Sequence, residues 1–169
     1  MAIYYGDGSN SGLGRLIKFD QTVIQGAATY DPDNDPSQDF TSFITLSITP
    51  TDSSTKHLIS WSCCLSVNGG TTLGTRLYAG NSAILIGNGN GSRPRVTTAF
   101  SCSDPAWFMQ DAGYYLYDHN TSSQITYSLR TNTYDGRQFS VNRSWYDYNN
   151  GYMDNCRSCS FLNVMEFAA

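Results

Sequence analysis

The most regular hydrophobic alternation in the chain runs from His57 to Val67, where Ile59, Trp61, Cys63, Leu65 and Val67 share one face and Ser60, Ser62 and Ser66 the other. A period of two over that length predicts a strand with one side in a core. Asn68-Gly69-Gly70 follows and predicts a tight hairpin, with Leu73, Thr75, Leu77 and Ala79 lining the returning strand. The same pattern recurs in shorter pieces. Arg15 to Val23 reads as a first strand with Leu16, Ile17 and Phe19 apolar, and Phe43 to Ile48 places Ile44, Leu46 and Ile48 on one face. Ala83 to Ile86, then Val96, Thr98, Phe100 and Cys102, then Ile125, Tyr127 and Leu129, and then Phe139 to Tyr146 predict further strands, separated by Gly-, Asn- and Pro-rich turns such as Asn88-Gly89-Asn90-Gly91. Between Trp107 and Tyr117 the aromatics are too dense for a clear period, and a loop running into a strand is expected there. No stretch keeps a 3.6-residue period over a helical length. The sum is an all-β, antiparallel two-sheet sandwich of jelly-roll kind, with eight to ten short strands.

The final stretch is apolar on both faces, with Phe161, Met165 and Phe167 on one and Leu162, Val164 and Ala168 on the other. Such a strand belongs in the middle of a sheet or against another subunit. Glu166, set between Met165 and Phe167, must pair, meet a backbone donor, hold a proton, or else point to solvent.

Composition narrows the class. The 169 residues suit one domain, and only 14% are charged, so hydroxyl and amide groups must wet the surface. With Lys and Arg at 10 against Asp and Glu at 14, the net charge of −4 disfavours nucleic acid as a partner. No stretch resembles a secretory signal or a membrane span. Five irregularly spaced cysteines, at 63, 64, 102, 156 and 159, fit a reduced, cytosolic place of assembly better than a disulfide framework. Residues 1 to 14, rich in Gly, Ser and Asn, read as a docking arm, and 15 to 169 as the sandwich domain.

Little here suits catalysis. There are two histidines, His57 and His119, and no Gly-x-Ser-x-Gly or His-Glu-x-x-His motif. Asp147 and Asp154 could be imagined as a glycosidase pair, but nothing in the sequence sets their separation. Asp31, Asp33 and Asp35 have the spacing with which a calcium loop begins, yet Pro36 and Ser42 stand where Gly and Glu belong. Cys156-Arg-Ser-Cys159 resembles half a zinc knuckle or a redox pair, but Cys63 and Cys64 point to opposite sides of a strand and cannot complete the knuckle, and no helix N-terminus is predicted to lower a redox thiol's pKa. Neither an enzyme, a metal nor a cofactor is expected. The run Trp145-Tyr-Asp-Tyr-Asn-Asn-Gly-Tyr152 has the composition of a recognition loop, and its aromatic faces suit sugar rings as well as protein.

Several segments, taken in order, resemble small virion structural proteins of tailed phages, especially cyanophages. They are Tyr4-Tyr-Gly-Asp-Gly-Ser-Asn10 with Gly14-Arg-Leu-Ile17, Ser47-Ile-Thr-Pro50 with Ser53-Ser-Thr-Lys56, Arg76-Leu-Tyr-Ala-Gly80 with Ile86-Gly87 and Gly91-Ser-Arg93, and Val164-Met-Glu-Phe-Ala-Ala169. The extra cysteines and the Tyr-rich insertion depart from that pattern. The resemblance implies a complement- or tumour-necrosis-factor-like jelly roll assembled as a homotrimer, located in the virion and contacting other virion proteins. On this reading Phe161, Met165, Glu166 and Phe167 form the trimer interface, Tyr4 and Tyr5 dock the arm, and Trp145, Tyr146, Tyr148 and Tyr152 contact a partner. The expected function is a non-enzymatic capsid decoration or head-fibre component, the alternative a tail-fibre tip or adhesin for a host surface glycan.

Overall fold

The computed structural model describes residues 14–32, 40–89, 91–102, 107–149 and 157–168. Among them there are eleven strands and no helix, arranged as two antiparallel sheets. The strands are β1 (Leu16–Ile24), β2 (Ala28–Tyr30), β3 (Thr41–Ile48), β4 (Lys56–Val67), β5 (Thr71–Ala79), β6 (Ser82–Ile84), β7 (Thr98–Cys102), β8 (Met109–Asp118), β9 (Ile125–Thr133), β10 (Phe139–Val141) and β11 (Ser160–Phe167). β4 is the spine of the first sheet. Its residues 56–62 pair with β11 and its residues 65–67 with β10, while residues 56–65 pair with β8 along the opposite edge. Beyond β11 lies β1, and beyond β10 lies β2. The second sheet runs β3-β9-β5, with β6 and β7 sharing the far edge of β5.

The core lies between the sheets and is built by the predicted alternation. Ile59, Trp61, Cys63, Leu65 and Val67 are all buried on β4, opposite Leu73 and Leu77 of β5, Leu129 of β9 and Ile44, Leu46 and Ile48 of β3. Each fully buried aliphatic side chain contributes about 1.5–3 kcal/mol. One side of the sandwich is clasped by a buried carboxylate: Asp111 of β8 accepts from Trp61 Nε1 at 3.2 Å and from Thr98 Oγ1 of β7 at 2.9 Å.

Three local expectations need correction. Asn68-Gly69-Gly70 joins strands of different sheets rather than a hairpin, because β10 occupies the place beside the end of β4 and Gln138 O accepts from Asn68 N–H at 3.0 Å. Gly69, at φ +77°, makes the corner, while the real hairpin is β5–β6 around Gly80 at φ +60°. The stretch expected from Phe139 to Tyr146 is extended only over Phe139–Val141, while the loop running into a strand expected between Trp107 and Tyr117 is found, with the strand already begun at Met109. A bulge between Ser42 and Ile44 turns Phe43 inward, so it is buried with its neighbours rather than facing away from them.

Candidate functional site

β11 is an interior strand, held by β1 on one side and β4 on the other. Partners directly opposite in an antiparallel pair share a face, so the registers define rows of side chains across β1-β11-β4-β8. On the outer face one row is Phe19, Met165, Leu58 and Leu116. The next is Gln21, Asn163, Ser60 and Tyr114, and the one after is Val23, Phe161, Ser62 and Ala112. Among the described residues none closes over these rows. Phe19 is 49% exposed, Val23 44%, Leu116 37% and Tyr114 78%.

The polar groups in this field are neutral and paired with each other. Gln21 Nε2 donates to Asn163 Oδ1 at 2.7 Å, Asn163 Nδ2 to Ser60 Oγ at 3.4 Å, and Gln110 Nε2 to Ser62 Oγ at 2.9 Å. Charge is confined to one end, where Lys56 meets Asp118 at 3.3 Å. Apolar rows on either side of a row of hydrogen-bonded amides, with no charge among them, make the mixed and neutral composition of an interaction surface.

Phe161 and Met165 stand on this face as expected. Phe167 has the same orientation but is buried, being 7% exposed beside Leu16 and Lys56. Glu166 does not belong to the face at all. It shares the inward parity of Leu162 and Val164 and is fully buried.

Its surroundings explain how a charge is tolerated there. Glu166 Oε1 accepts from Thr51 N–H at 2.6 Å and from Thr55 Oγ1 at 2.7 Å, and Oε2 accepts from Thr51 Oγ1 at 3.1 Å. Burial alone would raise its pKa, but these bonds from Thr55 and Thr51 outweigh burial and hold the carboxyl below its ordinary range. Of the alternatives open from sequence, the backbone donor is the one realised.

Both histidines converge on the same place. His57, directly opposite Glu166 on β4, is fully buried, and its ring lies 4.2 Å from that of His119, centroid to centroid. His57 Nδ1 is 2.8 Å from the Tyr127 hydroxyl, whereas Nε2 has no partner. Desolvation, with the nearby His119, lowers its pKa from 6.5 to about 4, against the opposing pull of Glu166. His119 Nδ1 accepts from Thr121 N–H at 3.3 Å, which leaves the neutral ring's proton on Nε2, 3.1 Å from Thr55 Oγ1. Burial likewise raises the Tyr127 phenol and the Cys63 thiol. The sequence held a signal for this cluster: His57 has the parity of Ile59 and Trp61, and Glu166 that of Leu162 and Val164.

The aromatic run forms a second, separate feature. Tyr146 and Tyr148 stack on each other at 5.2 Å and 25°, exposed by 48% and 56%, with Trp145 half-buried beside them. Asp147 between them adopts φ +48° and is fixed by Arg143 at 3.2 Å and Arg157 at 2.7 Å. Tyr152 and Asp154 lie outside the described residues, as do Tyr4 and Tyr5, Asp33 and Asp35, and Cys156. Cys63, Cys64 and Cys159 are free thiols. Among the described residues, no three His, Cys, Asp or Glu side chains converge to hold a metal, and no helix is long and apolar enough to cross a membrane.

Comparison of the chain with protein-family models and with curated proteins found no match.

Proposed function

We propose that this chain is a non-enzymatic structural component of a tailed-phage virion, a capsid decoration or head-fibre protein that assembles as a homotrimer. The observation that carries the assembly is the uncovered outer face of β1-β11-β4-β8, with Phe19, Met165, Leu58 and Leu116 in one row across four strands and no charge among them. Three copies meeting on this face would bury the apolar row, at about 25 cal/mol for each Å² removed from water before association costs. The chain's path supports a jelly-roll reading of the sandwich. Strand orders β1-β11-β4-β8 and β3-β9-β5-β7, with successive crossings from β3 to β4, β4 to β5, β7 to β8 and β8 to β9, wrap the chain between two sheets. The phage assignment rests on the ordered segments of sequence likeness from Tyr4 to Ala169.

Particle association tests this reading. Deleting residues 1–14 is expected to release the protein from the particle and to weaken resistance to heat or osmotic shock, with adsorption to host cells retained. Particles that keep a full complement of the truncated chain would contradict it. A second reading, a fibre tip binding host surface glycan, is favoured by the exposed Tyr146–Tyr148 stack and its rigid Asp147 hinge. On that reading purified protein competes with the phage for host cells, and replacing Tyr146 and Tyr148 with Ala abolishes the competition.

A further inference from the structure

Directly beside the exposed apolar row, on the inner side of the same four strands, the registers place Lys18, Glu166, His57 and Tyr117 in line. Each is the chain neighbour of a residue in the outer row: Lys18 of Phe19, Glu166 of Met165, His57 of Leu58 and Tyr117 of Leu116. The row is closed from the other side by Tyr127 of β9 and, from the loop after β8, by His119.

We propose that the buried middle of this row, His57 and Glu166, is an acid-sensitive latch: proton uptake by His57 loosens the β1-β11-β4-β8 sheet and so weakens whatever assembles on its outer face. The assembly part rests on the self-association reading above; the loosening of the sheet does not.

The geometry leaves a proton on His57 badly placed. The Tyr127 hydroxyl serves Nδ1, but a second N–H on Nε2 would find no acceptor in a site with no access to water. Among the described residues Glu166 is the group that favours the charge, and its oxygens are already committed to Thr51 and Thr55. His119, its ring tilted by 39° against that of His57, opposes it, and so does Lys18. Tyr127, its phenol raised further by burial, is uncharged at any pH where His57 titrates.

The sign follows from the lowered pKa. Between its ordinary value of 6.5 and about 4, His57 takes a proton in the unfolded chain but not in the folded one. Stability therefore falls with pH across that window and levels off below it. From pH 7 to pH 5 the unfolding equilibrium constant should rise by about tenfold to thirtyfold from this group alone.

The test uses the full chain. Denaturant unfolding at pH 7 and pH 5, with native mass measured at both, is compared between the wild type and His57→Asn, whose amide reaches the Tyr127 hydroxyl and lacks the orphan nitrogen. The latch predicts the tenfold or greater rise in the wild type, less than threefold in His57→Asn, and subunit dissociation at pH 5 in the wild type alone. If that variant fails to fold, His119→Asn is expected to shift the His57 titration upward and flatten the slope. An imidazole NMR titration of the unaltered chain should find His57 neutral at pH 5. A His57 that titrates near 6.5, or an unfolding slope unchanged in the variant, overturns the latch. A chain that is monomeric at pH 7 yet shows the His57-dependent slope contradicts self-association and keeps the latch.

Discussion

Glu166 is the residue on which the inner side of β11 turns, because it ties the chain's last strand to the loop between β3 and β4 through three hydrogen bonds. Replacing it with Gln keeps the shape but removes the charge, and an amide cannot accept on both ends. Glu166→Gln is expected to cost about 1.5–3 kcal/mol at pH 7, read from urea unfolding. The carboxyl's folded pKa is depressed, so the charge stabilises the fold fully above the unfolded value near 4.5 and loses that effect as pH falls through the folded value. The gap between wild type and variant should therefore narrow only below about pH 4.5. Gly113 is equally constrained: a Cβ there would sit 2.5 Å from Trp61 Cζ2 and 2.8 Å from Cη2. Gly113→Ala should cost about 1–3 kcal/mol by forcing the indole off its place, seen as a lower thermal midpoint. Strand parity made the burial of His57 and Glu166 legible in the sequence. Their meeting with Thr51, Thr55, His119 and Tyr127 was not, since it depends on which loops close over that end of the sandwich.

At the level of elements, the sequence was most informative where one face is apolar and the other polar. β3, β4, β5 and β9 fall where alternation puts them. It misled at Asn68-Gly69-Gly70, because a turn signal states that the chain reverses without stating whether the reversal stays in one sheet. β8 was obscured for another reason. Tyr114 and Leu116 face outward from an exposed edge while Tyr115 and Tyr117 pack inward, so both sides are aromatic and no alternation is visible. The corner at Gly69 gives a direct check: its φ of +77° is a left-handed conformation that strains any residue with a Cβ, even where the neighbouring Arg137 side chain swings aside. Gly69→Ala is expected to destabilise by about 1–2 kcal/mol in denaturant melts. The outer face makes the opposite prediction. Leu58→Glu and Met165→Glu place charges on a half-buried surface and should change subunit stability by within about 1 kcal/mol. Placed in a desolvated interface, the same charges should weaken association at least a hundredfold, measured by dilution.

For the whole molecule, the two sheets divide the work. The β3-β9-β5 sheet supplies half of the core, and the β1-β11-β4-β8 sheet supplies the other half along with a broad outer face of apolar rows and neutral amides that the other described residues leave bare. Sister copies are proposed to cover that face, and sedimentation equilibrium of the purified chain at pH 7.5 tests this most directly. The predicted result is a species of three times the 18.7 kDa subunit mass for the wild type and of 18.7 kDa for Leu58→Glu. A wild-type chain that stays at 18.7 kDa up to the highest concentration reached, or a Leu58→Glu variant that remains as large as the wild type, would contradict it.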